Sequence, residues 1–459
     1  MNEEEILTEI REIKKNGGKN KICVCVIGIG RIGLPTALSF AKSGFKTIGI
    51  DINKNLVDKI GRKEFPLKDE PGYQEIFEEV IYNGKFSATT KIEEVVPNSQ
   101  IILLSLPTPM DENNIPDYTA LRTVAKQLNN LVSKGSTIIV ESTIEPGFIE
   151  NEFVEFIENE ERQIKVGENI GVGVCPETAN PGEIMKDFNN LPRLVAATDE
   201  KTSEIIELIY KHVFPVELIK MPNCKTANAV KLTTNVFRDV NIAFVNELAL
   251  LYDKLGIDIQ TVLDAADKKY NFQIHYPGAG VGGPCLPVNS YQMLNSAKGI
   301  NDSLLKMVKI SREINESMPF YVINLVKNAF KQIDKKIEKS KILILGISYK
   351  PNVKDIQLSP AEIIISELKK LGTDIRIFDP FYKSTTVYGI KTANELEEVI
   401  SDVDAAIIVT AHEEFKNIKP EYFSSKMRSP VLIDTRGIID IHAAEKTGLI
   451  FRGLGRGKI

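Results

Sequence analysis

The segment Gly28-Ile29-Gly30-Arg31-Ile32-Gly33 constrains this chain more than any other. It follows an apolar run, Ile22-Cys23-Val24-Cys25-Val26-Ile27, too short for a helix and suited to a strand buried on both faces. A helical pattern over 34–43 comes next. In a G-x-G-x-x-G placed between strand and helix, the first glycine makes the tight turn. The second lets a pyrophosphate approach, and the third lets the helix pack closely on the strand. The next strand, Thr47-Ile48-Gly49-Ile50, ends in Asp51, at the spacing of about 20 residues where a carboxylate meets the adenosine ribose. A carboxylate there also repels a 2′-phosphate. The pattern predicts an NAD site built from Gly28, Gly30, Arg31, Ile32, Gly33 and Asp51, with NAD favoured over NADP.

The alternation of strands and helices continues. Gln100-Ile101-Ile102-Leu103-Leu104-Ser105 leads into Leu106-Pro107-Thr108-Pro109, and Ser136-Thr137-Ile138-Ile139-Val140 ends in Glu141-Ser142-Thr143. Ile170-Gly171-Val172-Gly173-Val174 delivers Cys175-Pro176-Glu177. Open α/β sheets bind ligands at the carboxyl ends of their strands. Pro107, Thr108 and Thr143 are therefore expected beside the cofactor, and Glu177 where catalytic groups gather. Over 225–255 the pattern turns helical, and Leu232, Val236, Val240, Phe244 and Leu248 are expected to form one apolar stripe. Lys231 and Asn235 share a neighbouring face, where the lysine is either solvated or functional. A second helical region is expected over 302–332. Strands then return at 341–346, 374–378, 405–410 and 431–434, without pyrophosphate glycines. Lys350 and Arg436 lie just past strand ends, where they meet either a ligand's phosphates or a neighbouring carboxylate.

Between the two alternating regions lies Tyr276-Pro277-Gly278-Ala279-Gly280-Val281-Gly282-Gly283-Pro284-Cys285-Leu286-Pro287-Val288-Asn289. Its four glycines and three prolines rule out a regular helix or strand in this reading. The segment is either a connection with a buried cysteine or a loop that holds a reactive thiol beside a ligand.

The expected fold is α/β, with two Rossmann-like doubly wound parallel sheets joined by a central all-helical region. The segments are 1–20, an N-terminal extension read as a short charged peripheral helix; 21–222, NAD-binding; 223–332, helical with the cysteine loop; and 333–459, a second Rossmann-like domain. Residues 452–458 read as a mobile basic tail. A formal charge of −5 gives no general attraction to nucleic acid or anionic lipid. No apolar run approaches the ~18 residues of a membrane span, and the first residues are acidic where a secretory signal is basic. Five scattered cysteines make no disulfide framework, so a reducing cytoplasm is expected, and no metal site is read.

With these pieces in order, residues 21–445 resemble the UDP-glucose/GDP-mannose dehydrogenase family, the nucleotide-sugar 6-dehydrogenases. The resemblance is carried by Gly28–Gly33, Pro107-Thr108-Pro109 with Asp111-Glu112-Asn113, Ser142-Thr143 and Pro176-Glu177. It continues in Lys231-Leu232 and Asn235 with Asn246-Glu247, the loop to Cys285, Tyr349-Lys350-Pro351, and Asp434-x-Arg436. The run Pro-Gly-x-Gly-Val-Gly-Gly before the cysteine is similar to the branch acting on UDP-N-acetylhexosamines, with UDP-N-acetyl-D-mannosamine expected and UDP-N-acetylglucosamine or UDP-glucose the alternatives. The resemblance implies a four-electron oxidation of the C6 alcohol to an acid with two NAD⁺, and a role in polysaccharide biosynthesis. It implies that Cys285 captures the aldehyde as a thiohemiacetal that becomes a thioester. It implies Lys231 as oxyanion stabiliser, Asn235 in positioning, and Glu177 and Thr143 holding or activating water. Tyr276, Gly278, Gly282, Tyr349, Lys350 and Arg436 are implied substrate contacts, beside Glu177, Lys231 and Asn235. A homodimer or higher oligomer through the helical region is expected.

Several positions depart from the family pattern. Asn289 stands where an aspartate usually follows the cysteine, Pro284 precedes the cysteine, and Thr178 replaces the arginine after Pro-Glu. The usual Asp-x-Arg-Glu-Ser-Pro reads Asp355-Ile356-Gln357-Leu358-Ser359-Pro360. Asn289 motivates a competing reading, a nucleotide-sugar-binding protein with impaired catalysis. A two-electron β-hydroxyacid dehydrogenase, the third reading, needs neither Cys285 nor the second α/β region.

Overall fold

The computed structural model describes residues 1–13, 20–301 and 303–457. Gly17, Gly18, Asp302 and Lys458, which bounded expected elements, lie outside them. Two compact units divide the chain, Met1–Thr234 with Tyr291–Ser296 and Asn235–Ser290 with Ala297–Ile459.

The first unit carries strands β1 (Cys23–Ile27), β2 (Lys46–Ile50), β3 (Phe86–Thr89), β4 (Ile101–Leu104), β5 (Thr137–Val140), β6 (Gly171–Val174), β7 (Arg193–Ala197) and β8 (Leu218–Lys220) in the order β3-β2-β1-β4-β5-β6-β7-β8. The first six are parallel, and the β3-β2-β1-β4-β5-β6 core is the dinucleotide-binding order. β7 runs antiparallel to β6, a departure from a wholly parallel sheet. The unbroken apolar runs follow from burial on both faces. Val24, Val26, Ile101 and Leu103 pack to one side, and Cys25, Ile27, Ile102 and Leu104 to the other. Each such side chain contributes roughly 1.5–3 kcal/mol on burial.

The first helix, α1 (Glu3–Glu12), is not peripheral. A reciprocal cap between Asn2 and Glu5 starts it, and Ile6, Leu7 and Ile10 enter the same core as β1. The helix after β1, α2 (Gly33–Lys42), begins at the third glycine of the fingerprint.

In the second unit β9 (Lys341–Leu345) and β10 (Asp374–Phe378) are followed by a small hairpin, β11 (Thr386–Val387) and β12 (Ile390–Lys391). Then come β13 (Ala405–Ile408), β14 (Val431–Asp434) and β15 (Ile450–Gly453), and the sheet order is β10-β9-β13-β14-β15, all parallel. This is the second doubly wound order, and its strand faces again split between two apolar clusters. Among the described residues no strand interrupts 223–332, which holds the long helices α3 (Cys224–Leu255) and α5 (Lys306–Gln332) with α4 (Leu286–Asn295) between them.

Three further sequence expectations change. The stripe on α3 is not Leu232-Val236-Val240-Phe244-Leu248, because steps of four advance about 40° past a full turn each time. Leu232 and Val236 are buried but Phe244 is 50 % exposed; the buried face runs on through Asp239, Ala243, Asn246, Ala249 and Asp253. The cysteine segment is a loop only as far as Cys285. Helix α4 starts at Leu286, with Pro287 in its first turn where a missing N–H is harmless. Residues 452–457 are no loose tail: Arg452 lies in β15, and the Gly455 and Gly457 N–H groups donate to buried Asp253 at 3.1 Å each. Among the described residues no helix is long and apolar enough to cross a membrane.

Candidate active site

In the first unit the strand register levels the carboxyl ends, pairing Ile27 with Ile50 and Leu104, Leu104 with Val140, and Val140 with Val174. The loops that follow therefore lie side by side. Gly28 has φ +86° and donates its N–H to Ile50 O at 2.8 Å. A Cβ at Gly33 would lie 1.8 Å from Gly28 O, whereas one at Gly30 would meet nothing within 4 Å. Turn, open cradle and close helix packing are the three roles the fingerprint requires, so the residues present fit a dinucleotide pyrophosphate at the start of α2. Asp51 accepts the Ile29 N–H at 3.0 Å and the Asn53 N–H at 2.8 Å, which fixes its carboxylate beside the glycine turn. Arg31 pairs with Asp69 at 2.8 Å, and Ile32 is half-buried before α2.

The next two loops are tied together. Ser142 Oγ accepts the Leu106 N–H and donates to Leu106 O, both at 2.8 Å. Thr108 Oγ1 donates to Thr143 O at 2.9 Å, and Gln292 Nε2 donates to the same carbonyl at 3.1 Å. Pro107 stays at the surface.

Glu177 is buried, and both its oxygens are engaged. Oε1 accepts the Thr178 and Ala179 N–H groups at 2.7 Å each, and Oε2 accepts from Arg193 Nη1 at 2.9 Å. Arg193 enters from β7 and stacks on Phe188 and Phe214. The cation beside Glu177 therefore comes from the adjacent antiparallel strand, while position 178 holds threonine. Sequence reasoning missed Arg193, whose signal is an arginine opening an apolar run. It also missed Glu141 as an active neighbour. Burial first, and the charge of Glu177 second, push the Glu141 carboxyl up to about 7, and Tyr210 donates to it at 2.6 Å. Lys231, buried on α3, lies one turn before Asn235.

The second unit holds the thiol. Cys285 is exposed, while Cys25, Cys175 and Cys224 are buried and Cys23 is partly so. It directly precedes α4, whose first turn closes with Asn289 N–H on Cys285 O at 2.8 Å. A thiol at a helix N-terminus has its thiolate favoured by the free N–H groups and the helix dipole. Asn289 Oδ1 accepts from Asn235 Nδ2, which joins two of the predicted residues.

The glycines before the thiol are close-approach positions. A Cβ at Gly282 would lie 2.4 Å from Leu358 O, and one at Gly283 would lie 2.6 Å from the Tyr349 ring. The Gly283 N–H donates to Gln357 O at 2.9 Å. Residues 349–358, where the family's usual charged motif is altered, thus supply the floor of the loop through backbone carbonyls and Tyr349. A Cβ at Gly278 would lie 2.2 Å from Arg436 Nη1, so Arg436 packs against the loop, a contact that sequence reasoning did not anticipate. Its Nε donates to Val409 O at 2.7 Å, and burial pushes its guanidinium down to about 10. Lys350 follows β9 on the same strand-end edge of this sheet, and Tyr276 is 52 % exposed. Also on that edge, buried Asp379 accepts from His412 Nε2 at 3.1 Å and from the Ile347 N–H at 2.8 Å. His412 Nδ1 accepts the Asn352 N–H, so Nε2 carries the proton.

Comparison with known proteins gives three matches to family models. They are the NAD binding, central and UDP binding domains of the UDP-glucose/GDP-mannose dehydrogenase family, over residues 22–214, 225–317 and 343–441. A UDP-N-acetyl-D-mannosamine dehydrogenase of Pyrococcus horikoshii is 33 % identical over 95 % of this chain and 100 % of its own. A UDP-N-acetyl-D-glucosamine 6-dehydrogenase of Salmonella typhi is 30 % identical over 88 % of this chain and 93 % of its own. The solved structure of the UDP-D-ManNAc dehydrogenase from Pyrococcus horikoshii matches with a TM-score of 0.88 at 32 % identity, covering 95 % of this chain and 100 % of that one.

Proposed function

Since the chain belongs to the UDP-glucose/GDP-mannose dehydrogenase family, with NAD as its cofactor, we propose that it oxidises C6 of UDP-N-acetyl-D-mannosamine to the carboxylate. UDP-N-acetylglucosamine is the second candidate, on the strength of the Salmonella relative. The observation that carries the chemistry is Cys285, exposed at the start of α4 at the end of a loop whose glycines admit close neighbours.

Alcohol to acid is a four-electron change, and bound NAD⁺ supplies a two-electron acceptor twice per acid formed. The first oxidation leaves an aldehyde. Cys285 Sγ adds to the aldehyde carbon, forming a C–S bond and a thiohemiacetal, so the reactive carbonyl stays attached. Loss of the C–H hydrogen as hydride to the second acceptor, and of the hydroxyl proton to solvent, makes the thioester. Water then adds to that carbon, the C–S bond breaks, and the acid and the thiol are released. Lys231 offers an ammonium for the oxyanions of both additions. The Asn235–Asn289 pair orients the groups beside the thiol by hydrogen bonding and, as amides, acts as neither acid nor base. Glu177, held by Arg193 and two N–H groups, is a fixed carboxylate that orients water with its remaining lone pairs, together with Thr143. Arg436, Lys350, Tyr349, Tyr276, Gly278 and Gly282 are assigned to the UDP-sugar, Arg436 for its bidentate fit to phosphate.

A reducing cytoplasm is the compartment this reading requires, because Cys285 has to remain a thiol. We assign a homodimer to the exposed apolar line Phe237, Phe244, Leu251 and Leu255 on α3, spaced at about 3.5 residues per turn as in a helix seam. NADH formation with UDP-N-acetylmannosamine and UDP-N-acetylglucosamine side by side tests the substrate. A kcat/KM favouring the mannosamine epimer supports the reading, and a preference for the other epimer replaces it with the second candidate.

A further inference from the structure

Beneath the cysteine segment lies a buried polar network that no step of the proposed reaction uses. Asp239 on α3 is fully buried and accepts three side-chain hydrogen bonds, each of 2.8 Å. They come from Arg312 Nη1 and Asn315 Nδ2 on α5 and from Ser290 Oγ on α4. Asn315 Oδ1 in turn accepts from Asn246 Nδ2 at 2.9 Å, and Asn246 Oδ1 accepts the Gly278 N–H at 2.9 Å. The carboxylate is thus tied to the segment on both sides of the thiol. Ser290 lies five residues after Cys285 and is bonded directly, while Gly278 lies seven before it and is reached through two asparagines.

Apolar side chains would join three helices with no desolvation penalty, so a buried ion pair here is weak evidence for stability. Hydrogen bonds are directional, however, and a fully connected buried network specifies one arrangement where apolar packing tolerates several. What this one specifies is the register of Gly278 and Ser290, and so the place of the thiol between them. That place matters because thiolate character depends on the thiol staying at the N-terminal N–H groups of α4.

We propose that the Asp239–Arg312 pair is a positioning device for Cys285, acting through Ser290 and through Asn315 and Asn246. It touches neither substrate nor cofactor. The inference rests on the thiol chemistry proposed above, and its test is read without substrate as well as with it.

Ser290→Ala removes the direct link and leaves Asp239 its two partners on α5, and Asn246→Ala removes the other link. Iodoacetamide labelling of Cys285, followed by mass spectrometry of the full-length protein against pH, reads the thiolate, with Cys285→Ala as the blank. In either variant the labelling midpoint is expected to rise by about one pH unit toward that of an ordinary thiol. With the UDP-sugar, kcat is expected to fall about tenfold while KM stays within about twofold, the split that marks a loss confined to the reacting group. Ser290→Thr, which keeps the hydroxyl, should restore both readings. Labelling midpoints unmoved in both alanine variants, with only the melting temperature lowered, would overturn the inference and leave the network a scaffold. If the wild type oxidises no UDP-sugar, the reaction assignment fails, and the labelling midpoints still decide the positioning role.

Discussion

Replacing Glu141 with glutamine isolates the electrostatics beneath Glu177. Glu141 follows β5, is buried, and accepts from Tyr210 at 2.6 Å. Burial, then repulsion from Glu177, raises its carboxyl from 4.5 to about 7. Between those values the folded protein holds this proton more tightly than the unfolded chain does, so stability falls as pH rises through the window. At about 1.4 kcal/mol per pH unit, ionising Glu141 removes about 3 kcal/mol from folding at pH 8 and under about 1 kcal/mol at pH 5. Glutamine keeps an acceptor for Tyr210 and carries no charge. Urea melts of the two proteins should therefore show Glu141→Gln gaining about 2–3 kcal/mol on wild type between pH 5 and pH 8. A stability difference that is the same at both pH values would refute the reasoning, and would mean that Arg193 already neutralises the pair of carboxylates.

Other perturbations reach the remaining parts of the account. Gly282→Ala sets a Cβ against Leu358 O, which would lie at 2.4 Å, and the displaced loop should lose about 100-fold in kcat by steady-state NADH formation. Phe244→Asp places a charge on the exposed line of α3, and gel filtration should move its elution to the 51.2 kDa monomer. Deleting residues 455–459 strips two N–H donors from buried Asp253 and leaves it Tyr321, so thermal melts should register a loss of about 2–4 kcal/mol.

The parts of the fold legible in the sequence are those whose signals are local. Gly28, Gly30, Gly33 and Asp51 stand where the fingerprint requires, and the apolar runs became strands because burial on both faces selects continuous Val, Ile and Leu. The phase of α3 was lost because spacing by four drifts around a helix, whereas Asp239, Asn246 and Asp253 mark the true inward face with polar groups. Helix α4 hid behind Pro284, which stands just before it, and Pro287, which would break a helix interior but suits the first turn. The Glu177–Arg193 and Asp239–Ser290 pairs join residues 16 and 51 apart, so no window of sequence contains their cause. The Gly-rich C-terminal segment reads as mobile by composition, and residues 452–457 are held because Gly455 and Gly457 fit where a Cβ would strike Ala249 and Gly256.

The central claim is that one thiol carries the sugar through both oxidations, and NADH formed per acid released tests it most directly. With UDP-N-acetylmannosamine in excess NAD⁺ the account predicts two NADH per acid, no free aldehyde, and a covalent sugar adduct on Cys285 in quenched reactions. One NADH per sugar with aldehyde released into solution, or acid formed undiminished by Cys285→Ala, would contradict it.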